Sequence, residues 1–167
     1  KMLIKNRMHS KNIYKKPPNF KELAIKFPEF RKYVKQDLSG RITINYQDQK
    51  ALKELSRTLL KQDFDLNVEI DETRLIPRVP LCLNYILWIE DLLGALEPSE
   101  RKPLGIDIGT GNVCIYSLLG ARKGWKMYAT EMDPFNYKNA VTNVNKNNLY
   151  DLISVKLVEN HNQILLG

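Results

Sequence analysis

Leu104-Gly105-Ile106-Asp107-Ile108-Gly109-Thr110-Gly111 decides how the rest of the chain is read. Its apolar start, Leu104–Ile108, predicts a buried strand, and the glycines after it let the backbone turn and approach a ligand closely, because a Cβ there would intrude. Asn112–Leu119 then predicts a helix. Working outward, Trp125–Glu131 reads as the next strand and Ile153–Val158 as a third. Between them, Pro134–Asn147 reads as a helix, with Asp133 as its cap and Pro134 at its first position. The cluster Asn143, Asn145, Asn147 and Asn148 reads as a polar helix end and turn. Strands and helices alternating at this spacing imply parallel strands joined by right-handed crossovers, an open α/β sheet.

In such sheets nucleotide-like ligands bind at the loop after the first strand. Glu131 stands 24 residues after Asp107, at the end of the next predicted strand, where an acid accepts hydrogen bonds from ribose hydroxyls. A dinucleotide fingerprint would place its third glycine where this chain has Cys114. Asp107 also puts a negative charge just below the loop, which disfavours a pyrophosphate and favours a sulfonium ligand with an α-amino group. The Asp107/Glu131 pair therefore points to S-adenosylmethionine, held by Asp107, Gly109, Thr110, Gly111 and Glu131. Two other readings remain: a turn that uses glycines for geometry alone, and a nicotinamide-dependent oxidoreductase.

The first hundred residues read differently. Residues 1–16 form a basic arm. Asn19 caps a short helix over Phe20–Phe27, and Pro28 restarts a second one through Lys35. Ser39-Gly40 is a turn and Arg41–Tyr46 a short strand. Asp48 caps a long helix from Gln49 to Phe64 with an apolar stripe of Ala51, Leu52, Leu55, Leu59 and Leu60. Leu66–Ile70 predicts a strand, Leu75–Pro80 an extended turn, and Leu81–Leu96 a strongly apolar helix. The expected organisation is a basic arm over 1–16, a helical extension over 17–103, and the first half of an α/β core over 104–167. The sequence opens at Lys1 and stops at Gly167 directly after Ile164–Leu166, so both ends are expected to lie inside a longer protein.

Charge is uneven. Residues 1–50 hold 13 Lys and Arg against 4 Asp and Glu, leaving +9 of a chain whose net charge is +7. With no apolar face beside it, such an arm suits a polyanion, RNA or DNA, better than a membrane. The alternative is a solvated terminus with no partner. Residues 81–96 are interrupted by Asn84, Glu90 and Asp91 and do not span a bilayer. Cys82 and Cys114 sit in apolar contexts and suggest buried, reduced thiols, and no secretory leader precedes them, so the expected compartment is the nucleus or cytoplasm. His9 and His161 lack partners at ligand spacing, so no metal site is expected.

Methylation of an exocyclic base amine is commonly served by Asn or Asp followed by Pro-Pro and an aromatic residue. Lys16-Pro17-Pro18-Asn19-Phe20 looks similar, but it has lysine where an acceptor is needed and no strand before it. It reads as a stiff lead into a helix. No catalytic group is visible, and that motif is expected beyond residue 167.

The sequence closely resembles the N-terminal half of the methyltransferase-like protein 16 family. The likeness runs through Met8-His9, Tyr14–Pro18, Phe20, Gly40-Arg41, Asp63-Phe64, Arg74–Pro77, Val79–Leu81, Leu83–Ile86, Trp88, Glu90–Leu92, Gly105–Gly111, Leu118–Ala121, Ala129–Glu131 and Asn147–Leu149. The stretch Arg74–Leu92 is the most particular to the family. The resemblance implies a Rossmann-like class I S-adenosylmethionine-dependent methyltransferase fold, truncated after its third strand, with a basic helical N-terminal extension. It implies transfer of a methyl group to the N6 amine of adenosine in structured RNA, of the U6 spliceosomal or messenger-precursor type. Carried over by position, Gly109 and Glu131 resemble cofactor contacts. Lys5, Arg7, Lys11, Lys15, Lys16, Pro17, Pro18 and Phe20 resemble part of an RNA-binding surface. Three positions depart from the family. Cys82 replaces an arginine that touches the cofactor, a loss worth roughly 1–3 kcal/mol. Val113 replaces a small polar residue, and Asn162-Gln163 does not clearly match a Lys-Thr pair. A catalytically silent RNA-binding relative is the rival that these departures motivate.

Overall fold

The computed structural model describes residues 8–96 and 102–159. From residue 8 onward the basic arm is docked on the protein. It closes with a 3-10 turn, Ile13–Lys15, capped by the buried Asn12. Asn19 caps helix α1 (Phe20–Lys26) by accepting the Lys21 and Glu22 N–H groups, as its sequence position predicts. Pro28 opens a second helix, α2, which covers only Pro28–Arg31 and not the expected run to Lys35. Residues 34–36 instead form β1 (Val34–Gln36), paired antiparallel with β2 (Ile42–Ile44). The Asp37 carboxylate organises the turn between them by accepting the Ser39 and Arg41 N–H groups at 2.9 and 3.0 Å.

Helix α3 (Gln49–Phe64) has the predicted bounds, with Asp48 accepting the Lys50 and Ala51 N–H groups. The segment after it corrects the sequence reading. Leu66, Val68 and Ile70 alternate inward and are buried, as strand periodicity requires. No backbone ladder forms on this segment, however, because side chains serve its outward-turned peptide groups. Asn147 accepts the Asn67 N–H at 2.7 Å and donates to the Asn67 carbonyl at 2.8 Å, and Asn143 does the same for Glu69 at 2.7 and 3.0 Å. From the other side, Arg57 donates to the Val68 carbonyl. Helix α4 (Val79–Leu96) begins two residues earlier than expected, since Pro80 in the first turn has no N–H that would need a partner.

The α/β half follows: β3 (Leu104–Ile108), α5 (Ile115–Arg122), β4 (Lys126–Glu131), α6 (Pro134–Lys146) and β5 (Ile153–Leu157). The three strands are parallel in the order β3-β4-β5, with Ile106 opposite Tyr128 and Ala129 opposite Val155. Two expectations need correction. Helix α5 starts at Ile115, three residues late, because Gly111 and Cys114 are left-handed (φ 69° and 60°) and residues 111–114 make a turn. And β3 is not buried on both faces, since Leu104, Ile106 and Ile108 are 71, 54 and 59% exposed. α5 covers the Asp107 side, and no described element pairs with the outer edge of β3. A single apolar cluster nevertheless runs through both halves, from Tyr14, Phe30 and Leu60 to Leu118, Ala129 and Ile153.

Candidate cofactor site

The loop between β3 and α5 is fastened from below. Gly109 and Gly111 have φ of 73° and 69°, a region costly for residues with a Cβ. A Cβ built on either glycine meets nothing within 4 Å, so the space in front of the loop is open to a ligand. The Gly109 and Thr110 N–H groups both donate to the Thr130 carbonyl at 2.9 Å. Asp107 accepts the hydroxyls of Thr110 (2.6 Å) and Ser117 (2.9 Å) on the same oxygen, Oδ2. Glu131 is buried, and its carboxylate binds three backbone N–H groups. Oε2 accepts from Gly111 at 2.8 Å, and Oε1 from Met132 and Asp133 at 2.8 and 3.0 Å. Both acids thus hold the loop, a role the sequence reading did not foresee.

Two walls flank the loop. Beside Glu131, Arg74 pairs with Asp133 at 3.1 Å and lies 5.3 Å from the Phe135 ring. Leu75, Met132 and Phe135 are exposed there. The Asp133 carboxyl is held below the usual range, chiefly by the backbone N–H of Asn136 that it caps and also by Arg74. On the Asp107 side, a cavity of about 460 Å³ is lined by Asp107, Ile108, Tyr85 and Tyr116. The Tyr85 and Tyr116 rings meet edge to face at 5.3 Å. Cys82 is buried with its thiol against the Tyr116 hydroxyl, and burial pushes that hydroxyl up to about 12. Beneath the loop lie Val113 and Cys114, both buried. Val113 therefore sits under the turn, with its carbonyl directed at Asn143.

By sequence, residues 2–167 match a family described as RNA methyltransferase. The chain belongs to the METTL16 family of RNA methyltransferases. It is 51% identical over 156 residues to the RNA N(6)-adenosine-methyltransferase mettl16 of Danio rerio, which covers 92% of this chain and 32% of that protein. It is 47% identical over 152 residues to the U6 small nuclear RNA (adenine-(43)-N(6))-methyltransferase of Caenorhabditis elegans, covering 90% and 32%. The N-terminal domain of human METTL16 in complex with SAH superposes with a TM-score of 0.88 at 48% identity, covering 92% of this chain and 60% of that one. The human catalytic domain in complex with a MAT2A 3'UTR hairpin gives 0.85 at 49% identity, covering 92% and 52%. The chain thus spans about a third of these curated relatives and somewhat over half of the solved domains. The fold is the Rossmann-like one of METTL16 methyltransferase domains.

Within this METTL16-family chain, the residues expected to meet RNA are dispersed. Lys5 and Arg7 lie outside the described residues, as does Asn162-Gln163. Lys11 is bound to Asp91 at 3.0 Å, next to His9, which meets the same carboxylate at 2.6 Å. Lys15, Lys16 and Pro17 are exposed, and Pro18 is half-buried. Phe20 packs edge-on against Phe30 at 5.6 Å. Pro17-Pro18 leads straight into the Asn19 cap, in keeping with a stiff helix lead. Among the described residues no group of His, Cys, Asp and Glu could hold a metal ion, and no helix is long and apolar enough to cross a membrane. Asn112, Asn143, Arg74 and Tyr116 were missed by sequence reasoning. Only Asn143 left a trace there, since it falls on the buried face of α6 with Ala140 and Val144.

Proposed function

We propose that this chain forms the cofactor-binding half of an enzyme that methylates the N6 amine of adenosine in structured RNA, with S-adenosylmethionine as methyl donor. The observation that carries the reading is the buried Glu131 carboxylate at the end of β4, joined to the Gly111 N–H across an open, left-handed glycine loop. The donor set fits this group. Oε1 of Glu131 is filled by two N–H groups, while Oε2 accepts only from Gly111 and can take one more hydrogen bond, so a ribose hydroxyl can be held without undoing the loop. Asp107 supplies negative charge toward a cationic amino acid moiety. When bound, S-adenosylmethionine supplies the electrophilic methyl group. The protein's task is then positional: Glu131 and the loop fix the adenosyl end. Exposed Lys15 and Lys16 suit RNA phosphates, with salt-sensitive affinity. The sequence contains no Asn or Asp followed by Pro-Pro and an aromatic residue, the pattern that commonly binds such an amine. Reduced, buried thiols suit a nuclear or cytoplasmic location.

The test is calorimetric titration of S-adenosylmethionine, S-adenosylhomocysteine and NAD into the intact protein and its Glu131→Ala variant. The expected result is binding of both adenosyl ligands but not NAD, weakened by the substitution. Cys82 favours a second reading, an RNA-binding relative without transfer activity, because its thiol points at Tyr116 where the family resemblance implies an arginine. No adenosyl-ligand binding by the folded protein decides for that alternative. Tight NAD binding would return the oxidoreductase.

A further inference from the structure

Asn143 is fully buried on α6, far in sequence from everything its carboxamide touches. Its Oδ1 accepts the Glu69 N–H at 2.7 Å, and its Nδ2 donates to the Glu69 carbonyl at 3.0 Å. The same Nδ2 lies 3.4 Å from the carbonyls of both Asn112 and Val113. One N–H acceptor contact and three carbonyl contacts fix which end of the amide is which. A single side chain thereby joins the extended segment 66–71, helix α6, and the turn between Gly111 and Cys114. Asn147 supplies a natural comparison. It holds Asn67 through the same two bonds, at 2.7 and 2.8 Å, and donates to the Asn143 carbonyl, but its carboxamide makes no hydrogen bond to the turn.

The pairing is geometric. Two residues four apart on a helix are separated by about 6 Å along its axis. Two residues apart on an extended chain, Asn67 and Glu69 are separated by roughly 6.6 Å. The two carboxamides can therefore stand in for a neighbouring strand. Asn112 adds a second tie from the turn to the same segment, through the Asp71 N–H (3.5 Å) and the Leu75 carbonyl (3.4 Å).

We propose that Asn143 is a positioning residue for the adenosyl cofactor: through the Asn112 and Val113 carbonyls it holds the turn where the Gly111 N–H meets Glu131, and it ties that turn to segment 66–71. This rests on the cofactor reading given above. Asn143 does not reach the open side of the loop, so its effect is indirect. Losing it frees the turn's carbonyls and lets Gly109–Cys114 sample positions in which the ligand face is not assembled.

S-adenosylhomocysteine is titrated into the intact wild type, Asn143→Asp, Asn143→Ala and Asn147→Ala, with Tm measured for each. Asn143→Asp keeps the shape and the Glu69 N–H acceptor but, as a carboxylate, cannot donate to the turn; Asn143→Ala serves if the aspartate variant does not fold. Both the Asn143 and Asn147 variants should lower Tm, since each strips partners from buried peptide groups. Only the Asn143 variants should weaken ligand affinity, by roughly tenfold. Unchanged affinity in the Asn143 variants overturns the proposal, and so does an equal loss in Asn147→Ala, which would mark general loosening. If the wild type itself fails to bind, the cofactor reading has failed instead.

Discussion

A thiol attacks as its thiolate, so burial that raises its pKa also slows its reactions. Burial pushes the Cys114 thiol up to about 12, and it moves Cys82 in the same direction. Both should therefore react slowly with a disulfide reagent at pH 7.5 and rapidly once urea unfolds the chain. A fast phase in the native protein would show that one of them is reachable. Cys114 also explains a limit on reading the site from sequence. Its departure from a third glycine argues against a dinucleotide, yet its left-handed backbone, which delays α5, leaves no mark in residue type. Glu131 was legible because an acid at a strand end is a positional signal. Asn143 was not, because its acceptors Glu69, Asn112 and Val113 are all backbone groups, which any residue supplies.

At the scale of elements, the long helices announced themselves through caps and periodicity, and α3 has the predicted bounds. The docked arm did not, since six basic residues in the first twenty suggest a polyanion partner or a solvated terminus. Its anchors are polar and distant. The His9 N–H bonds Asn84 at 2.6 Å, Asn12 bonds the Pro80 carbonyl at 2.9 Å, and the Tyr14 hydroxyl bonds Asp63 at 2.8 Å. Asp91 adds an electrostatic clasp, its carboxyl lowered first by the His9 ring N–H and then by Lys11. A carboxyl lowered in the folded state contributes stability above its unfolded pKa, near 4, and loses it as pH falls through the folded value. Amide protection of residues 12–14 should hold at pH 7 and fall below about pH 4. In Asp91→Asn it should be weaker at pH 7 and change less on acidification. Equal acid sensitivity in both proteins would place the clasp elsewhere.

Over the whole molecule, one face of the sheet stands apart. Side chains alternate along a strand, so with Asp107 turned to α5 the residues Leu104, Ile106 and Ile108 turn the other way, 71, 54 and 59% exposed. Tyr85, Trp88 and Leu92 on α4 are exposed as well, and the outer edge of β3 has no partner among the described residues. An apolar strip beside unpaired backbone groups is a template for another chain. The METTL16 methyltransferase domains to which this chain is similar extend well past it, since it covers 60% of the human one. A polypeptide limited to residues 1–167 should therefore self-associate, with apparent mass rising with concentration in sedimentation velocity. Ile106→Lys places a charge on the exposed strip and should reduce that association while leaving the far-ultraviolet circular dichroism unchanged. A polypeptide that stays monomeric at high concentration would show that the strip is already covered within these residues.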